Sequence, residues 1–548
     1  MSATSVSPLS TVAAMAAKQA VMLKIMTQAG VVRPHNPVRL AKVAKRIARH
    51  GIGFSGGVQA CAALLPDQVA IIDEIGSITW REVDERSTRL AHSLRARGVK
   101  ERDCVAVLLR NHRYFLEVST AVAKLGADIL YLNTSFSAPQ IGEVCGQHSP
   151  AAVIYDDEFS SMIDKSGVDA RRVIAWRDDA GAGSRGVETV EQLITVGSSA
   201  PLPATEHLAR PVILTSGTTG TPKGAPRSEA GIDGAVALLA RMPFKAGDKV
   251  HIAAPLFHTW GWAHLNLGML LGTTMVLRRR FDPEEALKTI DEHDCDAMIA
   301  IPVMLQRILA LPEEKRAGDY SQLRVVAASG SALPGDLATK WMDTFGDNLY
   351  NTYGSTEIAW ATIATPADMR AAPGTAGRTP PNTDLKILDD NGKELPTGEA
   401  GRIFVGNSML FGGYTGGGHK EVIDGLMSSG DVGRVDEEGR LFVEGRDDEM
   451  IVSGGENVFP KEVEDCIVRH ESVYEVAAIG VEDDNYGKRL RAFVVANDGA
   501  SIDEDDIKAW VKDNLARYKV PREVIVLDEL PRNATGKVLK RELVDYEV

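Results

Sequence analysis

Residues 215–224 read Thr-Ser-Gly-Thr-Thr-Gly-Thr-Pro-Lys-Gly and follow an apolar run at 212–214 that reads as a strand. Glycines let backbone N–H groups curl around phosphate oxygens, the hydroxyls add donors, and Lys223 adds charge. The stretch is not a Walker A loop, because Pro222 precedes the lysine and Gly224 follows it where Ser or Thr is needed. Five hydroxyls, three glycines and a lysine in ten residues are more than an ordinary surface loop requires, so the segment is read as a phosphate-binding loop. Pairs such as His258 with His264, or His293 with Cys295, have no third ligand clustered nearby and do not suggest a metal site.

From about Leu65 to the C-terminus the chain resembles the adenylate-forming superfamily, which includes acyl-CoA synthetases, peptide-synthetase adenylation domains and firefly luciferase. Several motifs in order carry the resemblance. It implies that Thr215, Ser216, Gly217, Thr218, Thr219, Gly220 and Lys223 cradle the phosphates of ATP. In Asn351-Thr352-Tyr353-Gly354-Ser355-Thr356-Glu357 it implies that Tyr353 stacks on adenine, Thr356 touches the α-phosphate and Glu357 holds Mg²⁺ through a hard carboxylate oxygen. Gly330, Ser331 and Ala332 match a strand-end turn bordering both adenine and the acyl group. Asp431 matches the ribose-binding aspartate, a carboxylate suited to two vicinal hydroxyls. Arg446 then reaches ribose or phosphate, Asp448 sits at the pivot of the hinge motif, and Gly454 and Gly455 line the thiol tunnel. Glu449 stands where the family more often has a second Asp. Lys537, after a Thr-Gly turn, matches the catalytic lysine, whose ammonium bridges the attacking carboxylate and the α-phosphate. Lys540, by contrast, reads as an ordinary solvated lysine.

The segment Pro255-Leu256-Phe257-His258-Thr259-Trp260-Gly261-Trp262 has no aspartate for an α-ammonium, which disfavours amino acids. His258 is placed along the acyl and thiol tunnel. Trp262 falls where long-chain fatty acyl-CoA synthetases carry a gating indole, although an indole at this spacing also suits a core position. The resemblance therefore implies activation of a fatty acid with ATP and Mg²⁺, then transfer to coenzyme A. A fatty-acyl-AMP ligase serving a carrier protein and a non-catalytic nucleotide-binding relative remain alternatives.

These residues need two bodies to position them. At 548 residues the chain exceeds what one hydrophobic core supports. Strand-like runs alternate with amphipathic stretches from Val69 onward, which predicts α/β architecture with parallel or mixed sheets and helices on both faces. Asn391-Gly392 and Thr397-Gly398 turns predict a small β subdomain. After Gly445 the pattern restarts on a smaller scale, predicting a mobile α+β lid. The expected organisation is an N-terminal extension at 1–64, a large ATP- and acyl-binding domain at 65–445 and a C-terminal domain at 446–548.

A net charge of −14 argues against nucleic acid as a partner. Five cysteines without CxxC spacing fit a reduced, cytoplasmic protein. Eight Lys or Arg precede the first acidic residue, Asp67, and Val38, Leu40, Val43 and Ile47 lie at helical spacing among them. This segment reads as a helix docked on the body, as a peripheral contact with the inner face of a membrane or, being acid-poor though not strongly Ser- or Arg-rich, as a mitochondrial transit peptide. The oligomeric state stays open, with a homodimer one arrangement.

Overall fold

The computed structural model describes residues 8–178, 186–215, 223–226, 232–413, 419–449, 451–453, 456–483, 487–533, 536–544 and 546. Two large sheets form the body. The first has eight strands, in the order Thr362–Ala364, Leu349–Tyr353, Val325–Ala328, Ala297–Ala300, Lys249–Ile252, Thr274–Val276, Val69–Asp73 and Gly76–Thr79. The second has seven, from Glu188–Thr189 through Arg171–Ile174, Ala152–Tyr155, Cys104–Leu108, Asp128–Tyr131 and Pro211–Thr215 to Lys223–Pro226. The central pairings are parallel, as the alternating pattern predicts. Strands such as Ala152–Tyr155 are buried along their whole length, which is why they read as continuous apolar runs rather than alternating ones.

A five-stranded antiparallel unit follows, built on Asp384–Leu388, Gly401–Gly406 and Leu426–Val435 with Val422–Ile423 and Leu441–Arg446 beside the last. Within the connection between its first two strands the chain makes a tight turn at Gly392, at φ +79°, where the Asn-Gly signal lies. The C-terminal unit packs Pro460–Ile467 and Glu504–Asn514 on a sheet led by the long hairpin Val473–Asp483 and Gly487–Ala496. A large α/β body with a β subdomain and a smaller α+β unit is thus the observed fold.

The basic N-terminal segment forms Pro8–Gln28, Pro37–His50 and Phe54–Leu64. Asn36 caps the second helix by accepting from the Val38 N–H, and Pro37 opens it. These helices are docked. Ile25 and Met26 pack on Val236, and the Cys61 thiol donates to the Met269 carbonyl at 2.9 Å. Arg39 and Arg46 donate to the carbonyls of Leu64 and Gln59, each at 2.8 Å. No helix among the described residues is long and apolar enough to cross a membrane.

Candidate active site

The parallel strands Val325–Ala328 and Leu349–Tyr353 end side by side, and their carboxyl ends open the crevice where α/β sheets bind ligands. Just past the first strand, the Ser329 hydroxyl donates to the Thr352 carbonyl at 2.8 Å. Gly330 then turns at φ +96°, in the left-handed region where side chains rarely go, and leads into Ser331 and Ala332 on the cleft wall. Asn351 and Thr352 are buried, yet the Asn351 side-chain oxygen and the Thr352 hydroxyl have no hydrogen-bond partner within the protein. Unmet buried polar atoms cost stability, so their place at a cleft suits a polar ligand.

Helix Thr259–Leu271 starts at His258 and faces the same turn, with the hydroxyls of Thr259 and Thr356 3.3 Å apart. Burial pushes the His258 imidazole down to about 4, so it is neutral near pH 7, and its Nε2 has no partner in the protein. Trp262, at 4% exposure, packs edge-on against Phe54 at 6.2 Å in the main core while also lining the cleft. Glu357 lines the cleft two residues beyond Ser355, whose hydroxyl accepts from its N–H at 3.2 Å. One carboxylate beside a triphosphate is how Mg²⁺ is commonly held, and no cluster of three metal-ligating side chains occurs among the described residues.

The β subdomain supplies the opposite wall. The Tyr353 hydroxyl donates to the Asp431 carboxylate at 2.5 Å, and Asp431 lies directly across from Arg446 in the antiparallel ladder, 3.6 Å from its guanidinium. Burial raises the Asp431 carboxyl above the usual range, while Tyr353, Arg446, Lys420 and Lys537 pull it back. Burial and the facing Asp431 hold the Tyr353 phenol well above its ordinary value, so it stays a donor.

Lys537 arrives on a tight C-terminal turn. The Asn533 side chain accepts from the Lys537 N–H at 2.9 Å, and the Asn533 carbonyl accepts from Gly536 at 2.9 Å. Gly536 stands at φ +73°, and a Cβ there would come within 2.4 Å of Val303 on the body. Gly536 therefore wedges against the body beside Ile301, bringing Lys537 to the cleft that holds Tyr353, Glu357, Asp431 and Arg446.

Lys540 departs from the expectation of a solvated side chain. Its ammonium lies 3.0 Å from Glu449 and 2.9 Å from Glu464. Burial alone would lower its pKa, but the two carboxylates outweigh that and raise it. The sequence reading missed this because neither acid is near Lys540 along the chain. Lys420 was missed for the same reason: it faces Gly430 and Asp431 from the segment just before the strand Val422–Ile423 and adds a third cation to the cleft.

The remaining sequence candidates divide in two. The backbones of Thr215 and Lys223 pair across an antiparallel hairpin, with their side chains outside the described set. Ser216, Gly217, Thr218, Thr219 and Gly220 lie outside the described residues, as do Gly454 and Gly455. Asp448 is the middle of the turn Asp447–Glu449, its side chain also outside the described set.

Residues 58–415 match the model of the AMP-binding enzymes, and residues 462–537 match that family's C-terminal domain. The chain belongs to the AMP-binding enzymes. It is 33% identical to feruloyl-CoA synthase from Amycolatopsis sp over 489 residues, covering 88% of this chain and 96% of that one. It is 32% identical to indoleacetate–CoA ligase from Aromatoleum aromaticum, again covering 88% and 96%. Among solved structures it is similar to o-succinylbenzoate CoA synthetase from Bacillus subtilis in complex with its acyl-adenylate, with TM-score 0.79, 27% identity and coverage of 90% and 98%. As a member of this family the chain is an AMP-forming acid–thiol ligase that uses ATP, Mg²⁺ and coenzyme A. The particular likeness to long-chain fatty acyl-CoA synthetases is not reproduced, since these relatives are named for aromatic acids.

Proposed function

We propose that the enzyme activates a fatty acid of medium to long chain and transfers it to coenzyme A. The observation that carries this reading is the apolar arm of the cleft that opens between the body and the C-terminal unit. It runs from Lys537 and Tyr353 past His258 and on along Ala263, Leu267 and Leu270 of one helix face. Apart from Asn266, whose amide donates to the Trp262 carbonyl, that face offers small and aliphatic residues with room for methylenes beyond the carboxylate. The organisation assigned to the catalytic cycle is a body at 65–445 and a lid at 446–548, with 1–64 as an added extension.

In the first half-reaction the substrate carboxylate attacks the α-phosphate and pyrophosphate leaves. Lys537 bridges the two anions. Glu357 holds Mg²⁺, Asp431 and Arg446 take the ribose, and the unpartnered Asn351 oxygen accepts from the exocyclic amine of adenine. Thr356 lies against the α-phosphate, and the loop containing Lys223 covers the others. The lid then turns about Asp448, Gly454 and Gly455 line the thiol path, and the CoA thiolate displaces AMP.

Pyrophosphate release with and without CoA tests this across acetate, octanoate, palmitate, ferulate and indoleacetate. Each buried methylene is worth about 0.8 kcal/mol, roughly fourfold in kcat/KM, so activity should rise with chain length until the cleft is filled. A second reading, an aryl acid, is favoured by the named substrates of the relatives; turnover confined to ferulate or indoleacetate would select it. Turnover requiring an acyl carrier protein in place of CoA would select the ligase alternative.

The extension gives a further expectation. Val38 is 65% exposed and Val21, Leu23 and Val32 are also exposed, among Lys18, Lys24, Arg33 and Lys42. We assign this face to reversible contact with anionic membrane at the cytoplasmic side, each cation contributing about 1 kcal/mol. Sedimentation with anionic vesicles should be lost as salt rises, and salt-independent binding would refute the assignment.

A further inference from the structure

Helix Pro37–His50 has cations and aliphatic residues on separate faces, yet none of its residues is fully buried. A docked helix normally buries its apolar stripe in the core. Here Leu40, Val43 and Ile47, at spacings of three and four, instead line the cleft that also holds Ala263, Leu267 and Leu270. The stripe is held in place. Arg39 and Arg46 anchor the helix to the carbonyls of Leu64 and Gln59 on Phe54–Leu64. That second helix lies close on Thr259–Leu271, where a Cβ at Gly57 would come 3.2 Å from the Met269 sulfur. The family model begins at residue 58, so Pro37–His50 lies outside the part of the chain it describes.

We infer that the stripe Leu40, Val43 and Ile47 is the outer wall of the acyl channel and sets the longest acid the enzyme accepts. The occupant is the distal alkyl end of the substrate. From His258 to Leu270 the helix advances about 18 Å, which matches an extended chain of roughly fourteen carbons joined by tetrahedral bonds of about 1.5 Å. An acid of that length with its carboxylate near His258 brings its terminal methylenes to the Leu270 end of the cleft, which the stripe also lines. The inference rests on the fatty-acid reading above and deepens it: the body holds the head of the substrate and the extension holds its tail.

The test is a chain-length profile of kcat/KM for octanoate, dodecanoate and hexadecanoate in the full-length enzyme and in Val43→Trp. Lys45→Trp, exposed on the opposite face of the same helix, controls for added bulk. Each methylene excluded by the indole removes about fourfold, so Val43→Trp should lower hexadecanoate use at least about tenfold while octanoate use and the KM for ATP stay within about twofold. Lys45→Trp should keep the parent profile. A parent-like profile in Val43→Trp overturns the wall and leaves the fatty-acid reading standing. An equal loss on all three acids also overturns it, since a folding defect does not select by length. A parent enzyme that turns over ferulate but none of the alkanoates overturns both.

Discussion

Lys537→Ala is expected to lower acyl-adenylate formation by about 10²–10³-fold, the usual cost of removing one preorganised group that stabilises charge developing in a transition state. The geometry isolates the effect. The lysine is presented by a turn whose hydrogen bonds run through the Asn533 side chain and the backbones of Asn533 and Gly536, so its removal leaves that turn intact. Its ammonium also offsets the buried Asp431 carboxylate, which keeps Tyr353 and Arg446 as partners without it. Thioester formation from supplied acyl-adenylate and CoA should stay close to parent, because in the proposed cycle that step has no use for the bridge between carboxylate and phosphate. Pyrophosphate release measures the first half-reaction and acyl-CoA appearance the second. Equal losses in both would remove Lys537 from the role assigned to it.

Asp448→Pro should have the opposite signature. The turn Asp447–Glu449 is held from both sides: Asp447 lies 3.3 Å from Arg402 of the β subdomain, and Glu449 is paired with Lys540 of the C-terminal unit. The backbone between those two anchors is where a rotation of one unit against the other must be absorbed. Proline fixes φ near −65°, and a conformation that requires another value is penalised by about 3 kcal/mol, roughly 10²-fold in population. Adenylation should survive near the parent rate while conversion of acyl-adenylate to acyl-CoA falls by that order. If Asp448→Pro makes acyl-CoA as fast as the parent, the pivot lies elsewhere. The ion cluster beside it supplies a separate consequence: Lys540→Ala leaves the half-buried carboxylates Glu449 and Glu464 without their cation, which should lower stability to urea by about 1 kcal/mol.

The local chemistry of this protein was legible along the chain because its key signals are short and backbone-driven. The Asn391-Gly392 turn and the helical spacing of Val38, Leu40, Val43 and Ile47 each specify their conformation within a few residues. The order of these signals was enough for the α/β body, the β subdomain, the smaller C-terminal unit and the family. What brings Lys540 to Glu449 and Glu464, or Lys420 to Asp431, is contact between residues separated in sequence, and charge pairing across such distances leaves no periodicity to read. The same holds for Trp262: its spacing suited either a gate or a core position, and only the packing of Phe54 from the N-terminal extension put its ring edge-on in the core while leaving part of it on the cleft. The stripe Leu40, Val43 and Ile47 was plain in the sequence as a stripe. Whether it met lipid, core or substrate depended on the anchoring of Arg39 and Arg46 and on where the neighbouring helices left space, which only the tertiary structure decides.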